Sequence, residues 1–201
     1  MTTQPSTNAT QLSLLERARQ RDSEAWRSLV DLYGPLVASW CHKCLPDSHN
    51  AADCVQDVFA SVSVSLDSFQ PQRENGSFRA WLWTITRNKI RDQVRRIKRQ
   101  AAGTGGSTML GVLQNVADGN NEPIVQEDEP TESLELEQLT RRAMVQVEAE
   151  FEPRTWQAFW RTVVDGINTA QVAEELKMTL ATVRQHKSRV LRRLRQQLGD
   201  V

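Results

Sequence analysis

Two cationic stretches, one in each half of the chain, hold the residues best suited to chemistry, and that chemistry is recognition of a polyanion. In FRAWLWTITRNKIRDQVRRIKR, from Phe78 to Arg99, the cations Arg87, Arg91, Arg95 and Lys98 recur at i, i+4, i+8 and i+11. That spacing puts them on one ridge of a helix, with Asn88 beside the ridge and Asp92 as the only acid in the stretch. In TLATVRQHKSRVLRRLRQQL, which begins at Thr179, helical periodicity turns Leu180, Val183, Val190, Leu191, Leu194 and Leu198 inward. It leaves Thr182, Arg184, Gln185, Lys187, Ser188 and Arg189 outward. An arginine fork can make two hydrogen bonds with guanine and a glutamine amide two with adenine, whereas Lys187 and the later arginines suit phosphates. Bond-breaking chemistry has no comparable pattern: no phosphate loop, nucleophile motif or paired-carboxylate geometry is readable, so the chain does not read as an enzyme. Cys41, His42, Cys44, His49 and Cys54 include metal-ligand types but lack the paired short spacings of a zinc site. No metal and no other cofactor is expected, and three cysteines read as thiols.

The elements that must position these residues are helices. Ser13 and Glu16 form a capping-box pattern that opens a short helix to about Arg21. Asp22 caps a second helix carrying Trp26, Leu29, Val30, Tyr33 and, beyond Pro35, Leu36, Val37 and Trp40. After a loop with Pro46, Asp47 and Asn50, a helix from Ala51 to Leu66 supplies an apolar stripe of Val55, Val58, Phe59, Val62 and Leu66. Its other face shows Asp53, Gln56 and Asp57, which by themselves read as acids favoured near a helix start. QPQRENGS is a turn-rich loop directly before the first cationic helix. That helix is apolar on two sides at its start, through Phe78, Trp81, Leu82 and Ile85 and through Trp83, Ile90, Val94 and Ile97, so it must be well buried there.

From Ala101 to about Glu132 the periodicity lapses into Gly, Asn, Pro and acids, which marks a tether. Ser133 then caps a helix, Glu152-Pro153 starts another with Trp156, Phe159, Trp160, Val163 and Val164 as its buried side, and Gly166 follows its end. A short helix from Asn168 to Leu176 and the helix capped by Thr179 make a helix-turn-helix, with Lys177 where the turn commonly has glycine.

The 201 residues suffice for two small domains, and the formal net charge of zero conceals segregation, since the two cationic helices flank an acidic run of Glu122, Glu127, Asp128, Glu129, Glu132, Glu135 and Glu137. No apolar run approaches the ~20 residues of a membrane span, and MTTQPSTNATQ has neither the basic nor the apolar region of a signal peptide. A cytoplasmic chain without membrane insertion is expected.

FRAWLWTITRNKIRDQVRR resembles the minus-10 promoter-binding helix of bacterial RNA polymerase sigma factors of the extracytoplasmic-function group, and AADCVQDVFASVSVSLDSF resembles the helix that precedes it in that family. With the C-terminal helix-turn-helix, the resemblance covers most of the chain. It implies an all-α fold: a polar tail over residues 1–11, a region 2 domain over 12–100, a flexible acidic linker over 101–132 and a region 4 domain over 133–201. It further implies that Asp53, Gln56 and Asp57 dock on the clamp helices of the largest subunit of core polymerase, with the flap region as a second contact. Phe69, Asn75, Ile85 and Asn88 would pocket a flipped minus-10 base, with Arg87, Arg91, Asp92 and Arg95 beside it. Thr182, Arg184, Gln185, Lys187, Ser188 and Arg189 would read minus-35 DNA, and the linker would thread cationic channels of the polymerase. An anti-sigma factor is a further partner that the resemblance allows. The alternative is a helix-turn-helix regulator with a LuxR-like output domain. Its receiver would need alternating strands and a phosphoacceptor Asp, and the N-terminal half shows none.

Overall fold

The computed structural model describes residues 13–70, 77–104 and 129–199, and every regular element among them is helical. In chain order these are α1 (Leu14–Arg19), α2 (Ser23–Cys44), α3 (Ser48–Ser65), a 3₁₀ turn (Leu66–Ser68), α4 (Phe78–Thr104), α5 (Ser133–Glu148), α6 (Pro153–Val163), α7 (Thr169–Glu175) and α8 (Leu180–Gln197).

Local chemistry sets the starts. Ser13 Oγ accepts from Glu16 N–H at 3.2 Å while the Glu16 carboxylate accepts from Ser13 N–H at 2.6 Å, the reciprocal pair that the sequence predicts. Asp22 accepts from the amides of Glu24 and Ala25 and from the Arg17 guanidinium; the Arg17 bond is the largest influence holding its carboxyl below the ordinary value. α2 continues through Pro35, at a helix-interior cost of about 3 kcal/mol. Pro35 lies on the exposed side, and burial of Leu32, Tyr33, Leu36, Val37 and Trp40 around it offsets that cost.

Some boundaries differ from those read in the sequence. α3 begins at Ser48 because Asp47 caps it, its carboxylate accepting from Asn50 N–H at 2.8 Å. Asn50 is therefore helical rather than in a loop. α4 runs on to Thr104, past the start of the expected tether. α5 is capped by Glu132, not Ser133: the Glu135 carboxylate accepts from Glu132 N–H at 2.8 Å in a capping box built from two acids. On α6 and α8, Trp160, Val163, Val164 and Leu180 are at least a third exposed instead of buried, because α7 is only seven residues long and covers little of them.

The apolar positions of α1 to α4 form one core around fully buried Leu29, Val37, Trp40, Val58, Leu82, Ile90 and Val94. That core continues without a break into Leu139, Ala143, Val147, Trp156, Phe159, Val190 and Leu194 of the C-terminal half. α5 lies on α2, where Arg142 donates to Leu32 O and Gln146 to Ser28 O, both at 3.1 Å. Tyr33 Oη donates to Leu198 O at 2.8 Å. A smaller cluster of Ala158, Val172, Ala173 and Val183 holds the helix-turn-helix together.

Candidate nucleic-acid interface

α4 is held by its start and its back, which frees one ridge. Phe78 is buried among Tyr33, Phe69 and Trp81, with ring centroids 5.0, 5.4 and 5.5 Å away. Arg19 donates to Leu66 O at 3.1 Å and to Phe69 O, with its guanidinium 6.0 Å from the Phe69 ring centroid. On the back of the helix, the buried Gln93 donates to Asn50 Oδ1 at 2.8 Å, and Asn50 in turn donates to Asp47 at 2.5 Å. Sequence reading missed this network; the signal for it was a polar residue three positions after Ile90, on the inward side.

Along the outer ridge Asn88, Asp92 and Arg95 are exposed, Ile85, Arg87 and Arg91 are half-buried, and Arg95 lies 3.7 Å from Asp92. Arg91 Nε is buried without a hydrogen-bond partner among the described residues. Phe69 differs from the rest of the predicted pocket. Its ring is 4% exposed, packed between Phe78 and Trp81, and offers no free face for stacking a base. Asn75 lies outside the described residues.

On α3, Gln56 and Asp57 are exposed and Asp53 is half-exposed, with His49 Nε2 at 3.7 Å. With the helix beginning at Ser48, neither acid lies in the first turn, where the helix dipole favours negative charge. The dipole therefore does not account for them. Cys41 and Cys54 are buried free thiols, and Cys41 is pushed up by its hydrogen bond to Cys54 and by burial. Among the described residues no cluster of His, Cys, Asp or Glu is arranged to hold a metal ion.

The second face is built on α8. Asn168 caps α7 through Ala170 N–H, Lys177 adopts the turn conformation at φ +50°, and Thr179 Oγ1 accepts from Thr182 N–H at 3.1 Å. A lysine thus occupies a left-handed position where glycine meets no steric cost. Arg184, Gln185, Ser188 and Arg189 are exposed, and Thr182 and Lys187 half-buried. An open groove of about 600 Å³ is lined by Thr169, Arg184, Lys187, Ser188, Arg192 and Arg195, with no acid in its wall. Two residues within this cationic run do other work. His186 Nδ1 lies 2.6 Å from Thr155 Oγ1, and burial, followed by the Arg189 charge, lowers its pKa. Arg193, one of six lysines and arginines on this helix, is 5% exposed and makes a two-pronged pair with Glu150, both bonds 2.6 Å.

The linker's acidic run meets the N-terminal half where it is described. Glu129 pairs with Arg79 at 2.9 Å, Lys43 bridges Glu132 and Glu135 at 3.0 Å each, and Trp40 Nε1 donates to Thr131 Oγ1 at 3.1 Å. Glu122, Glu127 and Asp128 lie outside the described residues.

Residues 29–100 match the family description "Sigma-70 region 2" and residues 149–196 match "Sigma-70, region 4". The chain is 28% identical over 198 residues to the ECF RNA polymerase sigma factor SigW of Bacillus subtilis, covering 93% of this chain and 96% of that one. It is 28% identical over 191 residues to SigK of Mycolicibacterium vanbaalenii, covering 93% and 88%. Among solved structures, CnrH in complex with the cytosolic domain of CnrY is similar at 22% identity and a TM-score of 0.36, covering 90% of this chain and 92% of that one.

Proposed function

Because the chain belongs to the extracytoplasmic-function group of RNA polymerase sigma factors, acting in transcription initiation through core polymerase and promoter DNA, we propose that its two exposed cationic faces divide promoter reading between them. The α4 ridge takes the minus-10 element as a single strand, with Asn88 on the base edge and Arg87, Arg91 and Arg95 on the backbone. Ile85 forms an apolar wall, Phe69 supports the start of α4 through its packing on Phe78 and Trp81, and Asn75 belongs to the same base pocket. α8 takes the minus-35 element in the major groove through Thr182, Arg184, Gln185 and Ser188, with Lys187 and Arg189 on phosphates. Asp53, Gln56 and Asp57 bind the clamp helices of the largest subunit, and the region 4 half meets the flap. The observation that carries this reading is that each face stands on a helix whose opposite side is core. Rigid helices hold base-reading side chains to register in a way that loops do not.

We further propose a non-enzymatic factor of the cytoplasm, controlled by an anti-sigma factor. No helix among the described residues is long and apolar enough to cross a membrane. The test is initiation by purified core polymerase with this chain on a randomised promoter library. The expected outcome is a set of start sites preceded by two shared elements, each lost with its own face. Selection that stays unchanged when Arg184 and Gln185 are both replaced by Ala would remove α8 from the reading.

A further inference from the structure

A recognition helix in the major groove meets two phosphate backbones, because the groove is about 12 Å wide and a helix with its side chains is about 10 to 12 Å across. The α8 reading proposed above, on which this inference rests, puts Lys187 against one wall and only Arg189 toward the other. On the first flank Lys187 and Arg195 line the open groove beside Thr169 of α7. With residues set about 100° apart, His186 falls on the opposite flank, between exposed Arg189 and buried Val190. That flank faces the start of α6. Thr155 there is 5% exposed, and its Oγ1 lies 2.6 Å from His186 Nδ1. A bond at Nδ1 turns the other ring nitrogen away from Thr155, and Nε2, neither buried nor bonded to any described residue, reaches solvent. The charges facing the ring are Arg189 of its own helix and Arg154 and Glu152 of the α6 start. Arg193, further along the flank, is taken by Glu150. Arg154 is exposed and donates from Nη2 to Leu176 O at 2.5 Å, which holds it beside the turn before α8. Two arginines against one carboxylate leave the flank cationic.

We propose that His186 Nε2 and Arg154 grip one backbone phosphate on the second wall of the minus-35 groove, beside Arg189, with Thr155 as the positioning residue that holds the ring. The contact works in either protonation state. With the ring neutral, the Thr155 hydroxyl donates to Nδ1 and Nε2–H donates to the phosphate. With the ring protonated, Nδ1–H donates to Thr155 Oγ1 and Nε2–H keeps the phosphate. A hydroxyl can exchange those roles, whereas a group that only donates cannot. In the free chain burial, then Arg189 and Arg154 against the opposing pull of Glu152, hold the ring below its ordinary pKa. A phosphate at Nε2 favours the charged ring, so its pKa rises on binding and a proton is taken up. Affinity for the minus-35 duplex therefore grows as pH falls from above the bound value toward the free one.

The experiment titrates a promoter duplex with holoenzyme over a range of salt, at about pH 8 and about pH 6, on either side of the ordinary histidine value of about 6.5. Wild type, His186→Gln, Thr155→Val and Thr155→Ser are compared, with circular dichroism of each at both pH values. On going to the lower pH the wild type is expected to gain about threefold in affinity over His186→Gln. Its salt slope should exceed that variant's by about 1 at the lower pH and match it at the higher, since only the charged ring displaces a counterion. Thr155→Val, which deletes the hydroxyl and keeps the shape, should follow His186→Gln, and Thr155→Ser should restore the wild-type profile. A loss in His186→Gln that is equal at both pH values, with the slope untouched, is what a merely structural ring would give and overturns the phosphate contact. So does a wild-type slope that does not steepen at the lower pH, a result that needs no variant to fold. A native Thr155→Val with the wild-type profile overturns the positioning role, and a pH difference that persists on a template lacking the minus-35 duplex overturns the location. The double variant Arg184→Ala, Gln185→Ala is the separate control. If minus-35 preference survives in it, the α8 reading itself falls; if preference is lost there while His186→Gln tracks the wild type, only the phosphate contact falls.

Discussion

At the scale of single residues, the α4 ridge separates base reading from backbone binding. An amide supplies a donor and an acceptor to a base edge, so Asn88→Ala should erase preference at one minus-10 base, at about 1 to 3 kcal/mol, while leaving overall affinity for pre-melted DNA nearly intact. Arg95→Ala should do the reverse, weakening all sequences and flattening the salt dependence. Competition binding of holoenzyme to pre-melted templates with each base varied distinguishes the two; equal losses for every base with Asn88→Ala would place it on the backbone. The same contrast holds on α8, where Arg184→Ala should relax specificity at one base pair and Lys187→Ala should lower affinity uniformly. His186 adds a pH dependence. Its pKa is depressed in the folded chain by burial and by Arg189, so its contribution is present above the ordinary histidine value of about 6.5 and is lost as pH falls through the lower folded value. Unfolding midpoints between pH 7 and 5 should therefore fall more steeply for the wild type than for His186→Asn. Parallel curves would show that the ring's bond to Thr155 carries no such linkage.

At the scale of elements, patterning made nearly every helix legible, because three-to-four spacing of apolar residues and local caps such as Ser13, Asp22, Asn168 and Thr179 are written in short stretches of chain. What patterning could not show was which polar residues turn inward. Arg193 sits in a run of cations with nothing in its neighbours to distinguish it; only the fold brings Glu150, forty-three positions away, to its guanidinium. Phe69, which the family resemblance places in the base pocket, has its ring packed against Phe78 and Trp81, partners that lie across a loop in sequence. The Arg193 pair is nearly dry on the arginine side only, and the exposed Glu150 returns to water when its partner is lost, so Arg193→Met should change stability by no more than about 1 kcal/mol, with minus-35 preference retained in the folded fraction. Denaturant melts checked against promoter selection would reveal a DNA-contacting Arg193 by the opposite pattern. On α3, the exposed Gln56 and Asp57 with Asp53 beside them have no structural duty that the helix dipole explains. Reversing both acids to lysine should weaken core-polymerase binding while circular dichroism stays native, and unchanged affinity would leave that face without a partner.

At the scale of the whole molecule, the sequence announced two halves and a tether but not that their cores join, since the docking residues Tyr33, Arg142, Gln146 and Gly199 are unremarkable within their own stretches of chain. The charged bridge across the halves provides an independent reading of closure. Burial pulls the Lys43 amine down, but bonds to Glu135 and Glu132 outweigh it and hold its pKa above the ordinary value. Burial likewise pushes Glu135 up, and the Ser39 hydroxyl, the Glu132 amide and Lys43 together bring it below the ordinary value. A depressed carboxylate stabilises the closed form above its unfolded pKa and stops doing so as pH falls through the folded one. A raised lysine stabilises below its unfolded pKa and is lost only at strongly alkaline pH. The bridge is therefore complete at neutral pH and fails on the acid side, below the usual glutamate value of about 4.3. Glu135→Gln keeps a residue that can serve the α5 capping box, so a cycle of Lys43→Met, Glu135→Gln and both together isolates the cross-half coupling, expected at about 1 kcal/mol at low salt and neutral pH. The decisive measurement repeats that cycle in Gly199→Val, whose added side chain meets Phe78 and Leu15 between the two halves. If that substitution separates the halves, Lys43 and Glu135 no longer meet and the coupling falls to zero; a coupling that survives it means the halves remain docked.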